Sequence, residues 1–222
     1  SMPDNVVPVR EAAGTEVDQV IIGSCTNGAY EDILPAAKML EGRSIDLSTE
    51  MIVAPGSKKA SEMLAREGWT AELMAAGVNF SEATCGACIG IGHVPGSDSA
   101  SVRTFNRNFE GRSGIEDDNV YLCSPEVAAA TALTGEITDP RDLETDTDAP
   151  GYELPGAYEG AENDIITPDD SIDDGLIKGP NIGDVPLKDP LDAHLEGPTL
   201  LKMDDNITTD HIIPATQDIL MY

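Results

Sequence analysis

The chain has 222 residues, room for one complete domain and part of another, and carries 41 Asp plus Glu against 13 Lys plus Arg, a formal net charge of -28. Such a surface repels nucleic acid and anionic lipid, because phosphate contacts need Lys and Arg. No signal-like start and no long uncharged apolar run is present, so the expected location is the cytoplasm, with no membrane partner. There the four cysteines are expected as reduced thiols or metal ligands rather than disulfides. The acids are spread through folded-looking segments, and salt shortens the Debye length to about 3 Å near 1 M. The charge is therefore read as halophilic, an adaptation to a salty cytoplasm.

Taken in chain order, residues 1–16 read as the end of a preceding domain or a linker. From 17 to 138, strand-like and helix-like runs alternate, the pattern of an α/β domain with a mostly parallel sheet and flanking helices in three layers. VDQVIIG (17–23) is a buried strand, YEDILPAAKMLEG (30–42) a helix closed by Gly42, and TEMIVAPG (49–56) the next strand. SKKASEMLAREG (57–68) starts on a serine cap and ends on glycine, and TAELMAAG (70–77) repeats that logic. VRTFN (102–106) and NVYLCS (119–124) follow as strands, then a helix from Pro125 to Gly135 with proline in its first turn. Residues 139–198 form an acidic linker; its first part, 139–174, holds 13 acidic residues, one basic one and no apolar period. Residues 199–222 resume an ordered pattern and read as an incomplete β-containing segment.

Three of the four cysteines fall in two short loops. Cys25 follows the first strand at its carboxyl end, where open α/β sheets place ligand crevices, and Cys85 and Cys88 stand in a Gly-containing turn after VNF. Two such loops can meet at one sheet edge as a cup of three thiols. Soft thiolates select zinc, copper(I) or iron-sulfur clusters. A closed zinc site wants four ligands and commonly two paired motifs, whereas one pair is present here, and a lone CxxC is weak testimony by itself. Cys123, inside a strand, reads as a small buried hydrophobe. Three thiolates on a cubane leave one metal without a protein ligand, free to act as a Lewis acid.

Just beyond the cysteine turn, FNRNFEGRSG puts Arg107 and Arg112 together in a chain with only seven arginines. A guanidinium grips a carboxylate with two parallel hydrogen bonds, so an anionic substrate is one reading and surface ion pairs the other. Asn106 and Asn108 add neutral donors and acceptors. His93 and His194 read as surface or loop residues.

The stretches IIGSCTNGAYEDI, ATCGACIGIG, FNRNFEGRSG, VYLCSPEVAAATALTGEI and DDNITTDHIIPA together resemble the aconitase superfamily, over about 20–135 and again at 199–215. The resemblance implies that Cys25, Cys85 and Cys88 ligate a [4Fe-4S] cluster. It implies that Asn106, Arg107 and Arg112 bind substrate, and that Asp210 with His211, expected as catalytic residues, stands at the head of a mobile C-terminal swivel domain that lines the cleft. Cys123, His93 and His194 match no ligand. The implied reaction is dehydration and rehydration of a hydroxy-tricarboxylate through an alkene-acid intermediate, with an iron lacking a protein ligand as Lewis acid. The wording is especially similar to single-chain aconitases, which implies a place in the tricarboxylic acid cycle. The alternatives are homoaconitase or the large subunit of 3-isopropylmalate dehydratase and, outside enzymes, a cluster-free RNA-binding or structural metal-binding module. The expected partners are a tricarboxylate and the remaining domains of a longer chain, in a monomer. Without those domains the segment is expected to be inactive.

Overall fold

The structure, a computed structural model, describes residues 5–108, 111–115, 117, 119–143, 179–183, 186–205 and 207. The chain divides into two units, one of Ser1–Gly160 with Pro214–Tyr222 and one of Ala161–Ile213. The described residues of the second unit form no helix or strand. Asp210 and His211 lie outside the described residues. Among the described residues no helix is long and apolar enough to cross a membrane.

The first unit is built on five parallel strands: β1 (Gln19–Gly23), β2 (Glu50–Ala54), β3 (Asn79–Phe80), β4 (Ala100–Arg103) and β5 (Asn119–Leu122). Their order is β3-β2-β1-β4-β5. Parallel neighbours need crossover links, and here these include α3 (Tyr30–Leu40) between β1 and β2, and α4 (Lys58–Arg66) with α5 (Trp69–Ala75) between β2 and β3. After β5, α6 (Pro125–Thr134) packs back on α3 and β1. The α/β expectation from the alternating pattern is met.

The helix ends follow capping chemistry. Ser57 accepts a hydrogen bond from the Ala60 N–H at 3.1 Å to open α4, and Ser124 accepts from the Val127 N–H at 3.4 Å to open α6 behind Pro125. The strands β1 and β2 read as apolar runs because both sheet faces are covered there. On one face Val20, Ile22, Met51, Val53 and Val102 pack with Ile33, Leu34, Leu64, Leu73 and Ala128 of the helices. On the other, Ile21 and Ile52 meet Ala87, Cys88 and Phe105. The cover there is the 3₁₀ turn Gly86–Ile89 and the link after β4 rather than long helices.

A short helix the sequence pattern did not signal, α1 (Val9–Ala12), packs Val9 and Ala12 against the helix-side core. It is fastened from the far end of the unit. Arg10 reaches Asp139 at 3.0 Å and Asp142 at 3.1 Å, and Arg141 also binds Asp139, whose side chain is only 1% exposed. The hydrogen bond from Arg141 is the largest cause, and that from Arg10 a smaller one, holding the Asp139 carboxyl well below the usual carboxylate range. A carboxyl depressed on folding contributes stability that is present above its unfolded value, about pH 4, and that fades as pH falls toward the folded value. Urea midpoints of the wild type and Asp139→Asn should therefore differ most near pH 7 and converge below about pH 4. A gap that stays constant on acidification would remove this fastening from the account.

Candidate functional site

In a sheet of order 3-2-1-4-5 the chain reverses direction between β1 and β4, and open α/β sheets place their ligand crevices outside the carboxyl ends of strands at such a point. The link after β1, which opens with the one-turn helix α2 (Ser24–Asn27), carries Cys25, and the loop after β4 carries Asn106 and Arg107. The two loops are stapled together. The Gly23 N–H donates to Thr104 Oγ1 at 3.0 Å, and Asn27 Nδ2 donates to the Thr104 carbonyl at 2.6 Å.

The Cys25 loop is shaped by close backbone approach. Gly23 has φ +123° and faces its register partner Ala54, so that any Cβ would run into the Ala54 carbonyl. Gly28 is crowded in the same way by the Ser24 carbonyl and the Gly56 amide. Gly56 donates its N–H to the Gly28 carbonyl at 2.8 Å, so the loops after β1 and β2 interlock. Between the two glycines, Ser24 holds φ +60°, and its buried hydroxyl has no hydrogen-bond partner among the described residues. A buried orphan hydroxyl and a strained residue beside Cys25 mark the loop as a place where geometry serves something other than stability.

The turn that carries Cys85 and Cys88 packs Ala87 and Cys88 on the sheet face opposite α3. The Cys88 N–H donates to the Cys85 carbonyl at 2.8 Å, and the Ile91 N–H to the Gly86 carbonyl at 2.9 Å, closing the turn. Cys88 is buried against Ile21 and Ile52, whereas Cys25 and Cys85 are exposed. All four cysteines are free thiols.

Arg112 is not presented outward. It is 6% exposed and donates from Nε to the Cys88 carbonyl at 2.9 Å and from Nη2 to Cys88 Sγ at 3.6 Å. This contact follows from crossover handedness: right-handed links put the β4–β5 connection on the face opposite α3, where the cysteine turn lies. Asn106 and Arg107 are exposed. Asn106 also lines an open cavity of about 780 Å³ beside β5, with Val6, Val7, Tyr121 and Cys123, while Cys25, Cys85 and Cys88 do not line it.

Of the expected residues, Arg112 thus joins Cys88 in the turn, whereas Cys25 stands on the segment stapled to Thr104, just ahead of Asn106 and Arg107. Among the described residues no three His, Cys, Asp or Glu side chains stand together as a metal-binding group. Cys123 is half-buried, and burial first and Glu126 second push its thiol up to about 12, which suits a packed hydrophobe and not a ligand. His93 sits in the loop after the turn, 3.5 Å from Glu50.

The model of the Aconitase family (aconitate hydratase) matches residues 5–135. A 3-isopropylmalate dehydratase large subunit of Methanopyrus kandleri is 48% identical over 141 residues, covering 63% of this chain and 34% of the relative. That of Herpetosiphon aurantiacus is 48% identical over 142 residues, with the same coverage. A probable methanogen homoaconitase large subunit of Methanosarcina mazei is 47% identical over 141 residues, covering 63% of this chain and 35% of the relative. The chain therefore spans about a third of the length of these curated relatives. With 131 consecutive residues under the family model, bearing the cysteine loops and the arginines, this chain belongs to the aconitase family.

Proposed function

We propose that this chain is the cysteine-bearing part of an iron-sulfur hydro-lyase acting on a hydroxy acid of the isopropylmalate or homoaconitase class. The observation that carries this reading is the set of three free thiols on two loops of one sheet, with a buried arginine donating to Cys88. The names of the relatives favour the alternative named above over citrate and isocitrate, and the assignment to the tricarboxylic acid cycle gives way with it.

The donor set fits a [4Fe-4S] group in kind, being soft, odd in number and accompanied by an orphan hydroxyl at Ser24. Cys25, Cys85 and Cys88 would hold it, and the exposed Cys25 and Cys85 are the two that must turn toward Cys88. The chemistry such a group supplies is a Lewis-acid site for a departing hydroxyl. Around it this chain contributes binding and orientation. Exposed Arg107 offers a two-pronged grip for a carboxylate, Asn106 adds a neutral donor, and Arg112 fixes the turn from below. Asp210 and His211, read as swivel-domain residues, are retained as candidates to line the cleft.

Because these relatives are named as large subunits, the remaining site residues are assigned to a partner subunit or further domains rather than to a self-sufficient monomer. The test is an assay of the parent enzyme, with its partner, against isopropylmalate, homocitrate and citrate. Turnover of one of the first two, with citrate slower, is expected, and the 222-residue chain alone should show none. Citrate-only turnover would restore the single-chain aconitase reading. RNA retention in physiological salt would support the non-enzymatic one, against the charge of -28.

A further inference from the structure

Arg103 is a charged side chain in an almost closed environment, 2% exposed, at the end of β4. Its guanidinium joins three segments. Nε donates to Ser101 Oγ at 2.8 Å on its own strand, Nη2 to Gln19 Oε1 at 3.1 Å on β1, and Nη1 to the Ala87 carbonyl at 3.3 Å in the cysteine turn. The Phe105 ring lies 5.9 Å from the guanidinium carbon. The far end of this network is anchored too, with Ser101 Oγ donating to Gln19 Oε1 at 3.0 Å and Gln19 Nε2 to Glu50 Oε2 at 3.1 Å.

Ala87 and Cys88 are consecutive, and each carbonyl is held by a different arginine, Ala87 by Arg103 and Cys88 by Arg112. A turn whose adjacent carbonyls are fixed by two buried cations has little freedom to place its sulfurs elsewhere. Resting on the cluster reading above, we propose that Arg103 is a positioning residue that locks the Cys85–Cys88 turn against the sheet and keeps a buried positive charge against that turn, whose thiols would help hold the iron-sulfur group.

Two measurements on the 222-residue chain test this. In the metal-free protein, hydrogen exchange at the Cys88 and Ile91 amides, which close the turn, should accelerate in Arg103→Met, while amides of β1 keep their protection. After anaerobic reconstitution, the same variant should lose iron to a chelator about 10-fold to 100-fold faster, as for other partners behind metal ligands. Its midpoint potential should shift downward, because a buried positive charge no longer favours the added electron.

Arg103→Lys retains the charge but not the fork. It should keep the potential near wild type and still lose turn protection, and it decides the matter if the methionine variant fails to fold. Wild-type exchange and iron loss in either folded variant, or a wild-type potential in Arg103→Met, would overturn the proposal. A wild-type chain that takes up no iron and sulfide would refute the functional reading instead, and the exchange measurement would still decide whether Arg103 holds the turn.

Discussion

Gly23→Ala is expected to cost more than about 3 kcal/mol of stability and to prevent cluster assembly. Gly23 closes β1 with φ +123°, a region that residues with a Cβ scarcely occupy, and its register partner is Ala54 of β2. A new Cβ meets backbone there, not the yielding end of a side chain, so either the β1–β2 pairing opens or the Cys25 loop is displaced. Gly42→Ala is the control. Gly42 also has positive φ, +67°, but nothing lies within 4 Å of where its Cβ would stand, so its cost is expected near about 1 kcal/mol. Urea midpoints of the two variants measure the contrast. Equal midpoints would show that the close approach at Gly23 does not matter.

The second large effect concerns the thiols. Cys25→Ala, Cys85→Ala and Cys88→Ala should each abolish retention of a [4Fe-4S] cluster, since a three-thiolate set has no spare ligand. Cys123→Ala should retain it, because that thiol is half-buried and its proton is held by burial to about pH 12. Among the three, Cys88→Ala should also lower stability by about 1 kcal/mol, because Cys88 packs on Ile21 and Ile52 whereas Cys25 and Cys85 are exposed. Cluster retention in any of the three would break the proposed ligand set.

Much of this fold was legible from local chemistry. The apolar runs of β1 and β2, the serines before α4 and α6, and the glycines that end the helices carry their meaning within a few residues. Strand order was not, because parallel pairing is decided by distant segments packing together, and neither was α1, whose four residues are ordered by contact with the core and by the Arg10–Asp139 pair. The site divided in the same way. Cysteine spacing pointed to two loops, but nothing in it said that Cys88 would be buried and Cys25 exposed. The resemblance assigns Arg112 to a substrate carboxylate, and its described contacts reach the cysteine turn, a consequence of the crossover after β4 that no local pattern carries. Arg103 gave no signal at all: a strand arginine among small and apolar neighbours reads as exposed until the Ala87 carbonyl and the Gln19 side chain are brought to it by the tertiary fold.

The most direct measurement is anaerobic reconstitution of the wild-type chain, followed by iron and sulfide analysis and visible absorption. Three sulfur ligands and one open iron predict about four iron and four sulfide per chain, with one iron removed more readily than the rest. Stoichiometric zinc with no sulfide, or no metal at all, would contradict the account.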